Sequence, residues 1–92
     1  MGHTPEKPRR LAEKLLEIRE KLCLSQNGLV RHLGLEEHLS QGKISEFETG
    51  RREPSLLVLL RYARAAGVPM DSLVDDKIDL PETLPVRKGS KR

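Results

Sequence analysis

The chain has 92 residues and a formal net charge of +3, enough for one small domain and too little bulk charge to argue by itself for a nucleic-acid partner. Trp is absent and Phe47 and Tyr62 are the only aromatic residues, which argues against the stacking platforms that bind single-stranded nucleic acid. Cys23 stands alone, so no internal disulfide or cysteine-rich zinc site can form, and no apolar run reaches the roughly 18 residues of a membrane span.

Met1 to Lys7 is polar, contains Pro5, and reads as a mobile N-terminal arm rather than a signal peptide, so a cytoplasmic protein is the default expectation. Pro8 suits the first turn of a helix, where its missing N–H costs nothing. Leu11, Leu15, Ile18 and Leu22 recur on one face of that helix, and Lys14, Arg19 and Lys21 alternate with Glu13, Glu17 and Glu20 on its other sides. Ser25 is a good cap for a second helix, whose inward face is Leu29, Val30 and Leu33 and whose end is Gly34. Ser40 caps a third, with Ile44 and Phe47 inward and Gly50 closing it. Pro54-Ser55 opens a fourth, with Leu56, Leu59, Leu60 and Ala63 at core spacing, and Gly67-Val68-Pro69 breaks it. Asp71 to Val74 reads as a short fifth helix. Pro81 and Pro85 then forbid a continuous helix, although Ile78, Leu80, Leu84 and Val86 recur at even spacing. That pattern fits either an extended arm that docks on a partner or a disordered tail. The expected organisation is an arm at 1–7, an all-α domain of five short helices at 8–74, and a tail at 75–92. Short helices of this kind gain most of their stability by packing their apolar faces together.

Between Arg9 and Val74 eleven basic residues face nine acidic ones, leaving the domain at +2, so only the distribution of charge could favour DNA. With Ile44 and Phe47 inward, the first-turn residues Gln41, Gly42 and Lys43 look outward. A glutamine can bond adenine bidentately and a lysine can donate to guanine, while Gly42 permits close approach. Ser45 and Glu46 lie one turn further on; Glu46 can accept from cytosine N4 or repel phosphate. Arg51 and Arg52 suit phosphate, unless Arg52 pairs with Glu48 or Glu53 in a solvated turn. Ser25-Gln26 puts a helix N-terminus, with free N–H groups, beside a side-chain amide.

The run from Leu39-Ser40-Gln41 through Thr49-Gly50-Arg51-Arg52-Glu53-Pro54 to Leu56, preceded by Ser25-Gln26 and Gly34, resembles the helix-turn-helix of the phage-repressor and Cro-like (Xre) regulators. The resemblance spans Leu11 to Val74. It implies a compact five-helix, lambda-repressor-like domain whose second helix crosses the DNA backbone and whose third enters the major groove. It makes Gln26 a backbone clamp and Ser45 a phosphate or base contact. The DNA-binding set it implies is Ser25, Gln26, Ser40, Gln41, Gly42, Lys43, Ser45, Glu46, Arg51 and Arg52. The expected function is a sequence-specific, double-stranded-DNA-binding transcriptional regulator, acting as a homodimer.

Two features depart from that family. Leu35-Glu36-Glu37-His38 adds four residues, about one helical turn, between Gly34 and Leu39-Ser40, lengthening either the second helix or its turn. Leu57 and Val58 stand where relatives are usually polar, and an apolar surplus beyond one helix face usually buries itself somewhere. A dimer interface is therefore expected at Leu57, Val58, Met70, Leu73, Ile78 and Leu80. A protein-interaction module on the same fold, antitoxin-like or adaptor-like, is the alternative, favoured by Glu36-Glu37 and the near-neutral domain. His3, His32 and His38 lack metal-ligand spacing, and no phosphate-binding glycine loop or catalytic triad is visible, so neither metal, cofactor nor enzyme activity is expected.

Overall fold

The structure is a computed structural model and describes residues 7–85. Five helices follow one another: α1 (Leu11–Lys21), α2 (Gln26–His32), α3 (Gln41–Glu48), α4 (Leu56–Ala66) and α5 (Asp71–Val74). Serine hydroxyls start three of them. Ser25, Ser40 and Ser55 accept from the N–H of Gly28, Lys43 and Val58, each satisfying one of the donors a helix start leaves orphaned. Gly34 lies at φ +70°, which lets its N–H reach the Arg31 carbonyl and the Leu35 N–H reach that of Val30, closing α2 in a paired turn. α1 closes by the same pattern with Cys23 in the left-handed position, at φ +60°.

α3 packs against α1 and α2, while α1 also meets α4 and α5. Leu15, Ile18, Leu29, Ile44, Tyr62 and Leu73 are fully buried where these helices meet. The four-residue insertion forms a turn and leaves α2 short. Leu35 is buried in the core, its carbonyl accepts from the N–H groups of His38 and Leu39, and Glu36, Glu37 and His38 remain exposed. Leu39 then packs against the core and Ser40 resumes capping.

Three expectations are corrected. Lys14 does not lie on an outer side of α1: it is fully buried, and its ammonium donates to the carbonyls of Ser72, Asp75 and Ile78 at 2.9, 2.9 and 2.6 Å. The folded unit does not stop at Val74. Residues 75–85 return along the helices, with Leu80 buried, Leu84 packed on the core, and the Lys21 ammonium donating to the Pro81 carbonyl at 2.7 Å. Within 56–60 the exposed pair is Leu56 and Leu57, at 77% and 56% exposure, whereas Val58 is buried at 8%. Most of the expected arm, residues 1–6, and Val86 with the basic 87–92 segment lie outside the described residues.

Candidate nucleic-acid interface

Burial of Ile44 and Phe47 fixes the rotation of α3 about its axis, and Gln41, Gly42 and Lys43 are consequently exposed in its first turn. Ser40 caps that turn, its hydroxyl accepting from the Lys43 N–H at 3.3 Å. The equivalent cap on α2 is Ser25, exposed and 2.9 Å from the Gly28 N–H.

A polar network behind this surface joins three helices. The Arg19 guanidinium donates twice to the Glu48 carboxylate, at 2.6 and 3.1 Å, and once to the Leu24 carbonyl at 3.0 Å. The Glu48 side chain is 5% exposed, so the pair is largely out of water, where a charge persists only if partnered. The hydrogen bond to Glu48 raises the Arg19 pKa above its ordinary value, outweighing the opposing effect of burial. Gln26 donates to the same carboxylate at 3.0 Å, and its side-chain oxygen accepts from Gln41 at 3.2 Å. The first residues of α2 and α3 are thereby tied to each other and, through Glu48, to α1. Arg19 and Glu48 were absent from the sequence-derived site. The signal available was a carboxylate at the end of α3 and an arginine directly after Ile18, the last buried residue of α1, but their pairing spans 29 residues.

Arg52 does not pair with Glu48 or Glu53; its guanidinium donates to Glu46 at 2.7 Å. That hydrogen bond holds the Glu46 carboxyl below the usual carboxylate range, with the charges of Arg52, Arg51 and Lys43 acting in the same direction. Glu46 is thus partly neutralised where an unpaired carboxylate would oppose phosphate. Ser45 is half-buried on the same helix, and its carbonyl accepts from the Thr49 hydroxyl at 3.1 Å. Arg51 is exposed on the turn to α4, its backbone N–H held by the Glu46 carbonyl at 2.9 Å.

The expected dimer surface is corrected in half of its residues. Val58, Leu73 and Leu80 are buried in this domain's own core. Leu57 is exposed, while Met70 and Ile78 are half-buried. Among the described residues, the large apolar side chains that are exposed are Leu56, Leu57 and Val74.

The arrangement of two short capped helices, joined by a turn and set against a third, matches known proteins. A family model described as a helix-turn-helix domain matches residues 10–76. Among solved structures, the chain is similar to the P22 c2 repressor protein in complex with a synthetic operator, with a TM-score of 0.62 and 27% identity over 72% of this chain and 94% of that one. No curated protein sequence matches the chain. The match over most of its length, with the all-helical repressor fold, shows that the chain belongs to the helix-turn-helix family and is a phage-repressor-like DNA-binding regulator.

Proposed function

We propose that the chain is a sequence-specific regulator of transcription that reads double-stranded DNA with Gln41 and Lys43 and acts as a cytoplasmic homodimer. The observation that carries this reading is the state of Gln41: exposed, at the first turn of α3, with its amide nitrogen engaged by Gln26. An amide nitrogen has two hydrogens. One goes to Gln26 and fixes the plane; the other, with the side-chain oxygen, remains for the N7 and N6 positions of an adenine. Lys43 is exposed beside it for guanine, and Gly42 keeps the intervening backbone clear. Arg51 and the capped N-terminus of α2 supply contacts to phosphate, with Arg52 and Glu46 as a charge pair at the edge.

One such domain reaches few base pairs, and pairing two copies supplies the affinity that one lacks. Leu56 and Leu57, side by side at the start of α4, supply exposed apolar surface for that pairing. The exposed Glu36 and Glu37 favour a second reading, in which the lengthened turn holds a protein partner. The test is a salt series on random duplex DNA, followed by selection of preferred sequences. Binding that weakens steeply with salt and converges on a preferred site supports the proposal. Binding that is absent at low salt, with a chain that sediments as a monomer, favours the second reading.

A further inference from the structure

Between the segment leading into α1 and the turn joining α3 to α4 runs an open groove of about 280 Å³. Buried Leu11 and Pro54 form its apolar base. Lys7 and Arg9 line one side, and Arg51 and Arg52 the other, with Glu53 as the acid in the lining. Arg52 is already paired with Glu46. Among the described residues, Lys7, Arg9 and Arg51 make no ion pair, so three cations without a carboxylate partner line one opening.

The position of that segment is fixed by its backbone. The N–H groups of Arg9 and Arg10 donate to the Asp76 carboxylate at 2.9 to 3.1 Å, and the Arg10 side chain is drawn away to Glu13 and Asp79. Asp76 therefore holds the two backbone N–H groups that lead into α1. The Arg9 side chain, which takes no part in this clamp, is left to the groove. An arginine and a lysine facing a second arginine across such an opening suit a phosphate, which accepts hydrogen bonds from several donors at once.

The geometry points to a seat for a DNA backbone phosphate in this groove, shared by Lys7 and Arg9 with Arg51. The segment before α1 then joins the interface as a sequence-independent grip beside that of the α3–α4 turn. This inference rests on the DNA-binding reading above and adds residues that the helix-turn-helix itself does not contain.

The test compares the full chain with a Lys7→Gln, Arg9→Gln double variant on random duplex DNA across a salt series, with Arg51→Gln measured in parallel. Both substituted side chains belong to exposed residues, and the Asp76 clamp uses backbone N–H groups, so thermal unfolding of the double variant should match the wild type. The log–log salt dependence should become shallower by up to about 0.9 for each chain bound, the change for one phosphate no longer neutralised, with the selected base sequence unchanged. A double variant with the wild-type slope, while Arg51→Gln lowers it, overturns the seat and leaves the DNA reading standing. A wild-type chain that binds no duplex overturns both. If inorganic phosphate binds the wild type better than the double variant while their DNA slopes agree, the groove takes small anions and the proposal fails.

Discussion

Lys14 and Arg19 sit five residues apart on α1, and both are drawn from water, in opposite ways. Lys14 is fully buried and spends its three hydrogens on backbone carbonyls at the end of α5 and beyond. Arg19 is matched by a carboxylate and, through Glu48 and Gln26, leads to a side chain on the exposed face of α3. The first arrangement fastens the chain. It satisfies carbonyls that a helix C-terminus leaves without partners and holds residues 75–80 on the domain. The second orients chemistry: it sets the plane of an amide that is available to a ligand. One helix thus carries a structural clasp toward one end of the molecule and a positioning network toward the other.

Separating the two functions by mutation sharpens this contrast. Lys14→Met should cost the most, about 4 kcal/mol, because it keeps the length of the side chain but strands buried carbonyls that now accept from an ammonium. Urea denaturation reads the loss, and amide exchange should quicken across 72–80 first. Glu48→Ala should cost about 3 kcal/mol by leaving the Arg19 guanidinium without its counter-charge. Unlike Lys14→Met, it should also lower DNA affinity per folded molecule, since Gln26 and Gln41 lose their anchor. If both variants lower affinity equally once stability is accounted for, the two ends of α1 do not differ as described.

A smaller effect is expected with pH on the clasp side. Backbone N–H bonds from Arg9 and Arg10 hold the Asp76 carboxyl below its ordinary range. A pKa depressed by folding stabilises the native state above the unfolded value, and that stabilisation is lost as pH falls through the folded one. Asp76→Asn should therefore be the less stable form at neutral pH and should lose less on acidification below about pH 4. Urea midpoints between pH 7 and 3 give the comparison. The smallest effect belongs to Tyr62, whose buried hydroxyl has no hydrogen-bond partner among the described residues and whose pKa burial drives upward. Tyr62→Phe should leave stability unchanged or raise it by up to about 1 kcal/mol, because it removes a desolvated polar group without loss of packing.

Much of this architecture was legible in the sequence because it is local. Serine caps and glycine stops mark the ends of α2, α3 and α4, and Asp71–Val74 is helical as expected. What escaped is non-local. Lys14 falls at i+3 from Leu11 and i−4 from Ile18, inside the apolar stripe, yet its charge suggests the surface; only the carbonyls supplied 58 to 64 residues later make its burial tolerable. In the run 56–60 all five residues are apolar, so the pattern has no phase, and the neighbours that cover Val58 while leaving Leu56 and Leu57 bare decide the matter. The outward position of Gln41 followed from Ile44 and Phe47, whereas its bond to Gln26 crosses 15 residues and left only a faint trace, a glutamine directly after the serine caps of α2 and α3.

The central claim is that the oriented amide of Gln41 reads a base. The most direct test is selection of bound duplex sequences by the wild type and by Gln41→Ala, with affinities measured on the wild-type site. Gln41 is exposed, so the variant should fold with unchanged stability. It should bind that site more weakly by about 1–3 kcal/mol and lose preference at one base pair while keeping the others. Lys43→Ala should relax a different position. Selected sequences identical for wild type and Gln41→Ala would contradict the account.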